Sequence, residues 1–202
     1  MTRFTEPVQI RAATAAPSYW QSDYDAISER LQQLTRGQAS VFGRSHGGHP
    51  LWKVSYGAHE APEHQASYNS ALGAHDPLAY KQRAGRKPHI LLIAATHGVE
   101  PEGTAALMGL IELLESGRAW PGFLPADSEA LLALSEDVTL TLIPVHNPDG
   151  RIRHRDYASV KDLSFDEARY LMQGTWSDGS LCGWPEVKVV HPLPPERIGH
   201  LG

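Results

Sequence analysis

A chain of 202 residues, 41% hydrophobic and 20% charged, is long enough to bury one sizeable core, and sets the expectation of a single soluble domain over residues 1–202. Its formal net charge of -5 gives no basic footprint for nucleic acid, and no apolar run is long enough to cross a bilayer. The one cysteine, Cys182, excludes an intramolecular disulfide and a cysteine-built zinc site; with no continuous apolar stretch in MTRFTEPVQIRAATAAPSYW, the expected location is the cytoplasm.

In chain order, Ser22 is the expected cap of a helix reaching Thr35, with Asp23 and Asp25 in the first turn, where the dipole favours acids. Tyr24, Ile27, Leu31 and Leu34 share one face of it, and Gly37 ends it. Ala39–Phe42 and Leu51–Tyr56 read as strands of a hairpin around GRSHGGHP, a turn rich in glycine. Residues 57–87 are polar and irregular, a connection long enough to be either functional or mobile. His89–Ala95 is a short apolar run of the kind buried on both faces. Pro101 opens a largely buried helix, and Ser128 is the expected cap of a short one over Glu129–Leu134. Val138–Val145 is a further strand that runs into the turn signal HNPDG. Strand, helix, strand with apolar strands predicts an α/β fold, a mixed, mainly parallel sheet with helices on both faces. After Gly150 the chain is rich in Gly, Pro and Trp and predicts no further long helix.

The chemistry concentrates in LLIAATHGVEPEGTAALMGLIELL. His97 stands at the end of the apolar run and Glu100 three residues later, before a long helix. Imidazole and carboxylate both suit zinc, and catalytic zinc sites commonly combine two His and one Glu with a position left for water. Ligand sites in such sheets gather at the carboxyl ends of strands, where both His97 and Asn147 fall. The plainer uses are a strand-end histidine bonded to backbone and a first-turn acid facing the dipole, which Glu102 fits better than Glu100. His46, His49, His59, His64 and His75 lie in polar loops and read as solvated. Asn147 and Asp149 read as residues that shape the turn and hold the loop.

HGVE (His97–Glu100) with Gly103, followed by an apolar strand ending in NPDG (Asn147–Gly150), resembles the zinc carboxypeptidases, the M14 metallopeptidases. VFGRSHGGHPLWKVSYG resembles the hairpin that precedes the motif in that family, with His49 where an arginine is usual. The likeness covers roughly residues 19 to 155 and implies the family's amino-terminal portion. It implies an α/β/α fold with a mixed eight-stranded sheet, and one zinc ion with His97 and Glu100 as its first two ligands. The third ligand is implied to be a histidine at the end of a later strand. Within the chain His191, the last residue of EVKVVH, is the first candidate, ahead of His146 and His200; the competing expectation is that this ligand, the general-base glutamate and the rest of the sheet lie beyond Gly202. The family's Asn-Arg pair has no match, and Arg155, then Arg153, are the candidates to steady an oxyanion; Arg151 is the candidate to bind a substrate carboxylate. The implied activity is hydrolysis of a peptide or related amide bond by a metal-activated water, on a peptide or N-acyl amino acid substrate. H-G-x-E-x-x-G also resembles deacylases of the aspartoacylase and succinylglutamate desuccinylase type, and a catalytically incomplete homologue acting as a binding module is the reading from outside the enzymes.

Overall fold

The fold is seen in a computed structural model that describes residues 16–57, 68–76 and 87–154. Arg155, His191, His200 and the Gly/Pro/Trp-rich tail lie outside the described residues, as does most of the connection over 57–87. Helix α1 (Tyr24–Leu31) is shorter than its periodicity predicts. Its cap is Asp23 rather than Ser22: the Asp23 carboxylate accepts from the N–H groups of Asp25 and Ala26. Ser22 is buried and accepts from the Trp20 indole instead. Strands β1 (Gln38–Arg44) and β2 (Pro50–Tyr56) form the expected antiparallel hairpin, with a register shift between Val41 and Gly43. A short helix, α2 (Tyr68–Gly73), precedes β3 (His89–Ile93). The chain continues through α3 (Pro101–Ser116), α4 (Pro125–Ser135), β4 (Thr139–Ile143) and α5 (Pro148–Arg153).

Proline starts three of these helices. Pro101, Pro125 and Pro148 each occupy the first turn, where a fixed φ is pre-organised and the missing N–H has no partner to lose. α4 therefore begins at Pro125, and Ser128 is a buried residue inside its first turn rather than its cap. For the same reason NPDG is a helix start rather than a simple turn: Asn147 is the cap, its Oδ1 accepting from Gly150 N–H at 2.9 Å.

The sheet has the order β1-β2-β4-β3. β3 and β4 pair in parallel, Ile90 against Leu140 and Leu92 against Leu142, with α3 and α4 as the crossover. β2 pairs antiparallel to both β1 and β4. The sheet is thus mixed, as expected, but not mainly parallel among the described strands. A tight hairpin can join only antiparallel neighbours, and it brings both of its strands to the β4 side. One face carries the core: Val54, Tyr56, Ile90, Leu92, Leu140 and Leu142 pack with Tyr24, Ile27 and Leu31 of α1 and with Leu107, Met108, Ile111 and Leu114 of α3. The α1 and α3 helices are tied directly to each other by Arg30 and Glu112 at 2.6 Å. β3 is not buried on both faces among the described residues: Leu91 and Ile93 are 51% and 47% exposed. No helix of the described residues is long and apolar enough to cross a membrane.

Candidate metal centre

β3 delivers the chain to the site by parallel pairing with β4 that continues one residue past the strand, Ala94 N–H donating to Ile143 carbonyl at 3.0 Å. Ala95 then takes a positive φ of 49°, a conformation that costs a residue with a Cβ about 1 kcal/mol. That bend turns the chain off the sheet and starts the turn that carries His97. The turn is closed by Glu100 N–H donating to His97 carbonyl at 3.1 Å, and Pro101 then commits the chain to α3.

Glu100 occupies the cap position of α3, yet its side chain makes no capping hydrogen bond. It points to His97: Nδ1 of His97 and Oε2 of Glu100 are 3.2 Å apart. Both side chains are open to solvent, 43% and 50% exposed. Two donors on one tetrahedral zinc, each roughly 2.05 Å from the ion, are about 3.3 Å apart. The separation of the pair is thus of the size that two ligands of one zinc ion have. Among the described residues no third His, Cys, Asp or Glu joins them, and His146 is not brought to the pair.

The loop after β4 is laid against this turn. His146 N–H donates to Ala94 carbonyl and Asn147 N–H to Ala95 carbonyl, each at 2.9 Å, and Asn147 Nδ2 reaches Thr96 carbonyl at 3.4 Å. Gly98 sits on the backbone of α5 so closely that a Cβ there would lie 2.1 Å from the Gly150 carbonyl carbon and 2.2 Å from Arg151 N. Only glycine permits that approach. Asp149 turns the other way and latches the hairpin: its carboxylate accepts from Ser45 Oγ at 2.7 Å and from Gly47 N–H at 3.0 Å, with His49 Nε2 at 3.9 Å. The loop-holding uses expected of Asn147 and Asp149 are visible in these bonds.

Arg151 is not on the open side of the pair. It is 1% exposed, and its Nη1 donates to Gly98 carbonyl at 2.9 Å, so the fold directs it to backbone rather than toward a substrate carboxylate. Arg153 is half-buried in the last turn of α5. The positive φ at Ala95 and the grip of Arg151 on Gly98 were not foreseeable from residue type; the one local signal was Gly98 itself, a glycine between the two ligand candidates.

A strand-end His-x-x-Glu pair on a mixed sheet, opposed by an NPDG helix start, defines an α/β protein with an exposed imidazole–carboxylate pair at a strand's carboxyl end. The family model for zinc carboxypeptidases, peptidase M14, matches residues 22–175, and the chain belongs to that family. Similar solved structures include a metallo-carboxypeptidase from Burkholderia cenocepacia, at 20% identity over 67% of this chain and 29% of that one, TM-score 0.43. A protein described as a carboxypeptidase from Burkholderia mallei has 20% identity over 64% and 26% of the two chains, TM-score 0.42. One described as a carboxypeptidase A from Shewanella denitrificans has 18% identity over 67% and 29%, TM-score 0.43. The chain thus spans less than a third of the length of these solved structures. No protein with a curated description matches it.

Proposed function

We propose that this chain serves the zinc-dependent hydrolysis of peptides, removing a carboxy-terminal residue, with one zinc ion held by His97 and Glu100. The observation that carries the proposal is the convergence of these two exposed side chains to 3.2 Å, at the carboxyl end of β3 in a chain of the zinc carboxypeptidase family. Zinc held there would supply Lewis acidity toward a scissile carbonyl and a water acidified to a pKa of about 7. The chain's own contribution is placement: the bend at Ala95, the turn closed on His97 carbonyl and the Asn147 contacts hold both ligands on rigid backbone before any ion arrives. His191 is our candidate for the third ligand. Arg155, and after it Arg153, are our candidates to meet the negative charge that develops on the substrate carbonyl, a task that suits a guanidinium.

Elemental analysis of the purified chain tests the metal. One zinc per chain, lost in His97→Ala and in Glu100→Gln, is the expected result; zinc that survives both substitutions sinks the assignment. Peptides with free and with blocked carboxy termini then test the reaction, and only the free ones are expected to be cleaved. Preferential cleavage of N-acyl amino acids would move the reading to a deacylase, and zinc bound without turnover of any of these would move it to a binding module.

A further inference from the structure

From Ala94 to Gly98 every backbone carbonyl has a donor. Ala94, Ala95 and Thr96 receive theirs from His146 N–H, Asn147 N–H and Asn147 Nδ2; His97 receives its own from Glu100 N–H. Gly98 receives the Nη1 of Arg151, the one charged donor of the set, from a side chain that is buried against the turn. Arg151 N–H itself donates to Asn147 carbonyl at 3.0 Å, so the guanidinium and the Asn147 contacts belong to one rigid piece, the first turns of α5. We propose that Arg151 is a positioning residue for the His97–Glu100 turn, acting on the two ligands through the Gly98 carbonyl. The proposal rests on the metal-centre reading above.

The physical reason lies in where the grip falls. Gly98 is the residue between the two ligand positions with the widest choice of backbone conformation, and its peptide group sets the rotation of the turn that carries both side chains. A neutral hydrogen bond would hold it; a buried charge-assisted one holds it more tightly, because the alternative leaves a guanidinium buried against a lost acceptor. A lysine in the same place keeps the charge but presents it as a flexible ammonium rather than a planar guanidinium. Groups that orient a metal ligand by a hydrogen bond to it typically govern metal affinity by about 10- to 100-fold, and a grip on the backbone between two ligands is expected to act within that range.

The test uses the full chain, with Co2+ as the spectroscopic probe and a chromophoric chelator as competitor. Arg151→Met is expected to weaken Co2+ binding by about 10- to 100-fold and to alter its visible spectrum, with Arg151→Lys in between. Glu115→Gln, roughly 20 Å away along α3 at 1.5 Å per residue, is the control that loosens the fold without moving Co2+ affinity. In the metal-free chain, Arg151→Met is expected to speed amide exchange at Glu100 by about tenfold or more while His146, bonded to Ala94 carbonyl, keeps its protection. Wild-type Co2+ binding that depends on His97 but is within about twofold in Arg151→Met overturns the positioning role and leaves the metal reading standing. Equal acceleration of both amides also overturns it, since the effect is then general loosening. A wild-type chain that takes up no Co2+, or one whose uptake ignores His97→Ala, overturns the metal reading and this proposal with it.

Discussion

The two ends of α3 handle their carboxylates in opposite ways. At the carboxyl end Glu115 lies in the last turn and Glu112 just before it, where the helix dipole is unfavourable to acids and no basic residue of the last turn offsets them. Both are fully engaged by neighbours. Arg30 donates to Glu112 from Nε at 2.6 Å and from Nη2 at 3.0 Å, a bidentate pair. Glu115 accepts from the backbone N–H groups of Thr35, Arg36 and Gly37 and from the Tyr56 hydroxyl. At the amino end Glu100 has a favourable dipole and N–H groups within reach, yet caps nothing and faces one histidine. Acids held by several donors of the protein are structural ties; one that faces a single imidazole and solvent is equipped for a cation. The α1–β1 connection is held by Glu115 of α3, whereas the His97 turn is closed by other bonds and leaves Glu100 open to solvent.

That contrast can be broken at either end. The largest effect is expected from Gly98→Ala, whose added carbon must displace the backbone of α5; a loss of about 3 kcal/mol in urea unfolding, together with loss of bound metal, is the expected outcome. A variant of unchanged stability would mean the turn is not pressed on Gly150. Glu115→Ala comes next, at about 2 kcal/mol, because three backbone N–H groups lose a charged acceptor together. A double-mutant cycle with Tyr56→Phe should show coupling, since the phenol and the carboxylate share a bond of 3.0 Å. Metal content should be unchanged in Glu115→Ala.

A pH titration sharpens the same end. Burial by itself would raise the Glu115 carboxyl, but the N–H groups of Thr35, Gly37 and Arg36 and the Tyr56 hydroxyl outweigh it and hold the carboxyl down at about 2, from 4.5. A carboxyl depressed in the folded state contributes stability that is fully present above about pH 4.5 and is lost as pH falls toward about 2. The unfolding midpoint of the wild type should therefore fall across that window, and Glu115→Gln should flatten the fall. The smallest effect is expected from Ala95→Gly. Glycine relieves the positive φ but costs more unfolded-chain entropy, so stability measured by urea unfolding should change by less than about 1 kcal/mol. A large loss would show that the Ala95 side chain, buried in the core, matters more than its backbone bend.

Much of the fold and part of the site were legible in residue type alone. The glycine-rich turn between Arg44 and Pro50 marked a hairpin, and the apolar runs around His89 and Val138 marked strands, because both signals are local. The boundaries were less legible. NPDG read as a turn because Asn, Pro, Asp and Gly are the commonest turn residues, yet Asn before Pro is equally a helix cap and first residue, and packing against the His97 turn selects the helix. The balance of parallel and antiparallel pairs among the described strands was not legible, because it depends on which strand the hairpin joins, and Val54 finds Leu142 as its partner only in three dimensions.

His97 and Glu100 are therefore the part legible in the chain's order of residues: a spacing of three across a turn lets an imidazole and a carboxylate meet, and the bend at Ala95 with the bonds around the turn brings them to 3.2 Å. The tertiary structure decided the rest. It sealed Arg151 against Gly98 carbonyl rather than presenting it to a ligand, turned Asp149 to the hairpin, and left Glu100 without a capping bond while binding Glu115 on every side. A side chain's chemistry is fixed by its type, but its use depends on which donors and acceptors from distant segments reach it first, and those are set only when the sheet and helices pack.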